Sequence, residues 1–128
     1  MKIKELRDLL KLTQQEFAEK YGIPKRSIEN WEGEKRTAPG YVVALLNRVV
    51  KEDAMERDRE LGLCLDTVNM QFYTAQSGVA VDMPDSYKAR VQELMDAGAT
   101  EEQLRKVEAE AEQDEEIWAA IKEAMEAE

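Results

Sequence analysis

Residues 13–33, TQQEFAEKYGIPKRSIENWEG, leave almost no chain between two stretches that each carry the apolar spacing of a helix. Phe17, Ala18 and Tyr21 supply the apolar face of the first. At about 100° per residue, Pro24, Ile28 and Trp31 share one face of the second. Thr13 with Glu16 makes a capping box, in which each side chain bonds a free backbone N–H of the other. Gly22 is a helix stop, and Pro24 suits a first helical turn because it has no N–H to lose there. So short a joint sets two helices directly against each other.

The flanking sequence extends this pattern. Ile3, Leu6 and Leu10 share a helix face in residues 3–11. After Gly33, which supplies a stop, and a loop holding Lys35 and Arg36, Pro39 opens a further helix. There Val42, Leu45, Leu46, Val49 and Val50 form a broad apolar stripe. Residues 3–51 therefore read as four short helices, the middle pair in the helix-turn-helix arrangement. On the second helix of that pair, Arg26, Glu29 and Asn30 point away from the apolar face, with Lys25 at its edge. Lys25 and Arg26 sit at a helix N-terminus, which already carries partial positive charge. A local rule broken without visible compensation marks function, and a phosphate or a guanine would supply the missing anion.

Charge separates this region from the rest. The 128-residue chain has formal net charge -10, yet residues 1–53 carry 11 Lys and Arg against 9 Asp and Glu, net +2. Residues 54–128 carry 7 against 19, net -12. Such asymmetry points to two jobs. Composition also bounds the chemistry. There is no His and a single Cys, Cys64, so a zinc site lacks its usual ligands and a Ser-His or Cys-His nucleophile is impossible within one chain. No Gly-rich phosphate loop is present. These facts argue against an enzyme and imply no cofactor. Cys64, in LGLCLD, reads as a buried small apolar residue of a protein in a reducing compartment. No apolar run approaches the ~20 residues of a membrane span, and no secretion signal is seen. The expected location is cytoplasmic.

LTQQEFAEKYGIPKRSIENWEGEKRTAPGYVVALL resembles the Cro/Xre-type helix-turn-helix of phage repressors and many bacterial regulators and antitoxins. The likeness rests on L-T-Q-x-E-F-A, the Gly of the turn, S-I-x-x-W-E and the small apolar helix after the loop, and covers about residues 3–51. It implies that helix 24–32 lies in the DNA major groove with its N-terminal side chains on base edges. By position these are Lys25, Arg26 and Ser27, with Asn30 one turn on. Arg or Lys suits guanine and Asn suits adenine. Gln14, with Gln15 beside it, stands where the family contacts phosphate or a neighbouring base. Lys35 and Arg36 would grip the flanking backbone. Arg7 and Glu32 resemble a structural ion pair that ties the first helix to the third. Three features depart from the family: Pro24 replaces a common Ser or Thr cap, Gly33 falls one place earlier than usual, and no fifth helix is evident after Lys51. Glu29 faces the groove as well, where it either accepts from cytosine N4 or is a solvated acid paired with Lys25 at i, i+4.

No family is recognised in residues 54–128. Residues 54–63 continue or follow the fourth helix. Leu65, Val68, Phe72 and Ala75 have helical spacing, VAVDMP alternates as an extended segment does, and Asp85 is expected to cap a helix with Tyr87, Val91, Leu94 and Met95 inward before Gly98. Thr100 with Gln103 forms a capping box. Leu104, Val107, Ala111, Trp118, Ile121 and Met125 then follow a heptad spacing that Asp114 interrupts, with a break near that residue. This stripe either packs within its own subunit or forms an interface. The expected fold is all-α, a lambda-repressor-like helix-turn-helix bundle over 1–53 followed by an acidic α-helical dimerisation or partner-binding region over 54–128. The expected function is a sequence-specific regulator of transcription, a repressor or an antitoxin-like protein. It would bind a double-stranded DNA operator as a homodimer, with a toxin-like protein partner held through 54–128. The alternative is a protein-interaction module that keeps the helix-turn-helix as a scaffold.

Overall fold

A computed structural model of the chain describes residues 1–127. Two compact units emerge, Met1–Met55 and the chain from Glu56 onward.

The first unit holds α1 (Ile3–Leu9), α2 (Gln14–Tyr21), α3 (Lys25–Glu32) and the first part of α4 (Gly40–Leu61). Its core is Ile3, Leu6, Phe17, Ala18, Ile28, Leu46 and Val50. Burying a side chain such as Phe17 or Ile28 contributes roughly 1.5–3 kcal/mol. The capping box on α2 is present, with Glu16 N donating to Thr13 Oγ1 at 3.1 Å and Thr13 N to Glu16 Oε1 at 2.9 Å. Three joints share one stop. Past α1, α2 and α3 the chain turns through a left-handed residue, at Lys11 (φ 58°), Gly22 (φ 65°) and Glu34 (φ 58°). In each, the following N–H reaches back to a carbonyl in the last turn of the helix: Leu12 to Arg7, Ile23 to Ala18, Lys35 to Asn30. This is the Schellman geometry. Two members of the expected apolar faces are exposed: Pro24 at the cap of α3, and Leu45, 50% exposed on α4.

The all-α expectation fails in the second unit. After the end of α4, strands β1 (Cys64–Asp66), β2 (Gln71–Tyr73) and β3 (Ala80–Asp82) form an antiparallel sheet in that order. The spacing that suggested a helix has another solution, because Leu65 and Phe72 are cross-strand partners. What selects the hairpin is local chemistry between them. The Asp66 carboxylate accepts from Val68 N, Asn69 N and Asn69 Nδ2, and Met70 takes φ 52°. Side-chain bonds of this kind compete with helix formation. Val68, expected inward, is 87% exposed at the tip, whereas Phe72 is fully buried. Cys64 lies on β1 and is half-buried, not core. The extended reading of VAVDMP corresponds to β3.

Three helices follow: α5 (Asp85–Asp96), α6 (Glu101–Glu112) and α7 (Glu115–Glu126). Asp85 is the first helical residue and Pro84 holds the cap position, so Asp85 acts on the helix dipole and is not the cap. Met95, expected inward, is 44% exposed. The chain breaks at Asp114, which accepts from Glu116 N at 3.0 Å to cap α7 and from Tyr87 Oη at 3.1 Å. Val107, Ala111, Trp118, Ile121 and Met125 are buried within this unit. At the start of the sheet, Leu63 N and Leu65 N donate to the carboxylates of Glu112 and Glu108, one turn apart on α6. Among the described residues no helix is long and apolar enough to cross a membrane.

Candidate nucleic-acid interface

α3 is fixed from behind. Arg7 on α1 donates from Nε to Glu32 Oε2 at 2.9 Å and from Nη2 to Glu32 Oε1 at 2.7 Å, and its Nη1 donates to Leu12 O at 3.0 Å. One planar fork thereby joins the start of the bundle, the first turn and the last residue of α3. The side chains are 16% and 7% exposed. Burial alone would push the Glu32 carboxyl up, but the bonds and charge of Arg7, then the Gln14 amide and Lys4, hold it below its ordinary value. Glu32 in turn holds the Arg7 guanidinium above its ordinary value. A second clamp joins α2 to α4, with Tyr21 Oη donating to Asp53 Oδ2 at 2.6 Å. Burial, then the Asp53 carboxylate, raises the Tyr21 phenol far above its ordinary range.

Opposite this clamped side, α3 presents polar side chains to solvent. Lys25 and Arg26 are exposed in its first turn, which contains no acid and has no side-chain cap. Arg26, Lys35 and Arg36 are exposed and have no ion-pair partner among the described residues. Ser27 and Asn30 are half-buried. The Asn30 carbonyl accepts from Lys35 N at 2.9 Å and Arg36 N at 3.3 Å, so the loop cations are tied through their backbone to the end of α3.

Other residues are placed differently from the expectation. Lys25 Nζ lies 3.6 Å from Glu29 Oε1, the i, i+4 pair. Gln15 Nε2 donates to Glu19 Oε1 at 2.7 Å. Gln14, at the start of α2, helps to hold the Glu32 carboxyl below its ordinary value, which sets it beside the ion pair at the back of α3. Two cations are not apparent from motif position. Lys2 and Lys4 line a recess of about 560 Å³ with Trp31 and Arg36. Their alternation around Ile3 is a signal present in the sequence, but only the packing of α1 beside the loop brings them to Arg36.

The family's usual glycine position also finds its explanation. Gly33 takes an ordinary φ of -81°, and the left-handed residue is Glu34, one place later, where glycine is common.

No curated protein and no solved structure matches the chain. A family model described as Helix-turn-helix matches residues 3–49. With α2 and α3 joined at Gly22, α3 pinned by Arg7 and the match ending within α4, residues 3–49 form a helix-turn-helix domain, consistent with the resemblance to the Cro/Xre type.

Proposed function

We propose that this protein is a DNA-binding regulator of transcription that inserts α3 into the major groove of an operator. The observation that supports this reading best is the first turn of α3. It is uncapped, carries two exposed cations and no acid, and belongs to a helix held rigidly by the Arg7–Glu32 pair. A helix with that end charge is at a disadvantage in water and at an advantage against DNA. Arg26 is the base-reading residue and Lys25, tied to Glu29, exchanges that partner for DNA. Asn30 completes the reading face, Ser27 lies half-buried beside it, and Lys35 and Arg36 grip the backbone. Gln15 would contact phosphate only by leaving Glu19, and Gln14 would do so from beside the Arg7–Glu32 pair. Residues 54–128 bind a protein partner, which fits a repressor of the antitoxin kind, and the protein works without catalysis or cofactor in the cytoplasm.

Removing both cations tests this. Lys25→Ala with Arg26→Ala is expected to weaken binding to the DNA upstream of the protein's own gene by about 1–3 kcal/mol for each base-reading side chain removed. The melting temperature should stay nearly unchanged, because both side chains are exposed. Wild-type affinity in the double variant would sink the reading. The pairing of Lys25 with Glu29 and of Gln15 with Glu19 supports a second reading, in which the domain is a scaffold for protein contacts. That reading requires wild type to show no sequence-specific DNA binding and the double variant to bind its protein partners as wild type does.

A further inference from the structure

We propose that the outward face of α4 in the first unit is the docking surface for a second copy of this chain, the two α4 helices packing antiparallel about a two-fold axis. Along α4, Leu46, Val50 and Ala54 are buried, while Tyr41, Ala44, Leu45 and Arg48 are all exposed on the opposite side. An outward helix face is ordinarily polar. This one opens with Tyr41 at 71% and Leu45 at 50% exposure, the two large exposed apolar side chains of the unit. Singly exposed apolar residues are common and mean little, but these two are adjacent at i, i+4.

The occupant follows from the order of the four residues. With a two-fold axis between positions 44 and 45, antiparallel helices pair residue 41 of one copy with 48 of the other, and 44 with 45. Both pairings are complementary. The Leu45 side chain lies over the small Ala44 of the other copy, which permits close approach of the backbones. The Tyr41 ring meets the guanidinium of Arg48, a cation–π pair. Arg48 has no ion-pair partner among the described residues, so it is available for that contact. A face that complements itself under reversal is what an isologous contact requires. The rival surface for a second copy, the apolar stripe of α6 and α7, is already used, with Trp118, Ile121 and Met125 at most 1% exposed. Two copies joined this way place two α3 helices about one axis, as paired half-sites require. The proposal names a surface for the operator reading above, yet its test needs no DNA.

The full chain is measured by sedimentation and light scattering over a range of concentrations. Wild type should approach twice its monomer mass, and Leu45→Glu should stay at the monomer mass at the same concentrations with its thermal melt preserved. Ala44→Cys provides an independent arm. It sits beside the axis and should form an intermolecular disulfide under mild oxidation far beyond the background set by wild type, whose sole thiol is Cys64. A monomeric wild type, an unchanged mass for Leu45→Glu, or no cross-link above background overturns the proposal. Leu45→Glu should still bind an isolated half-site. Loss of that binding without a change in mass would show the face to be a DNA contact and overturn the proposal. A dimeric Lys25→Ala, Arg26→Ala variant that no longer binds DNA would support both assignments separately.

Discussion

Arg7 shows how one side chain sets the position of α3. Its three donors satisfy both oxygens of Glu32 and the carbonyl of Leu12. Arg7→Ala leaves a nearly buried carboxylate and a carbonyl without their partner. The expected loss is about 2–4 kcal/mol, somewhat below a fully buried pair because Arg7 keeps some solvent contact. Urea unfolding measures it, and DNA binding should fail only to the extent that the domain unfolds. The pair also gives stability a pH dependence. Glu32 is depressed below its ordinary value of 4.5 in the folded protein. Its contribution is therefore complete above that value and lost as pH falls through the lower folded value. Urea midpoints followed from neutral pH down through the carboxylate range should show a steeper fall for wild type than for Arg7→Ala. At the same scale, the placement of Lys25 settles which partner Glu29 has in the free protein: the i, i+4 cation.

At the scale of elements, joints decide more than helices do. The stops after α1 and α3 use Lys11 and Glu34 where the geometry favours glycine. A side chain in the left-handed region costs about 1–2 kcal/mol, partly offset because glycine has more unfolded-state freedom to lose. Glu34→Gly should therefore stabilise the protein by roughly 0.5–1 kcal/mol, seen as a higher urea midpoint. Gly22→Ala should move it the opposite way, even though a Cβ there meets no atom within 4 Å. Equal midpoints for wild type and Glu34→Gly would mean that the turn carries no strain. The helix-versus-strand outcome in the second unit has the same origin. Leu65 and Phe72 fit a helix face and a hairpin pair equally well, and the bonds of Asp66 to the following backbone choose the hairpin.

On the scale of the whole molecule, charge is divided between regions: net +2 over residues 1–53 and -12 beyond. An average over the chain conceals a cationic surface, which is why an acidic protein is a reasonable DNA ligand. Binding should weaken steeply with salt, by about 0.9 in the log-log slope for every phosphate neutralised. Removing Lys35 and Arg36 should lower that slope by roughly 1.8 if each grips one phosphate, measured by DNA titration at several salt concentrations. A slope near zero in wild type would favour the scaffold reading.

The helix-turn-helix was legible because its information is local. Apolar spacing, a capping box, Gly22 and Pro24 act within a few residues of one another, and each is written in the order of the chain. The outward placement of Arg26 and Asn30 follows from the same periodicity. Tertiary structure decided what depends on residues far apart in sequence. It brought Lys2 and Lys4 to one recess with Arg36, set Gln14 beside Glu32, left Leu45 outside a stripe that included it, and buried Trp118, Ile121 and Met125 within their own unit. Periodicity names the face of a helix but not its neighbour, and the neighbour determines whether a side chain is core, clamp or surface.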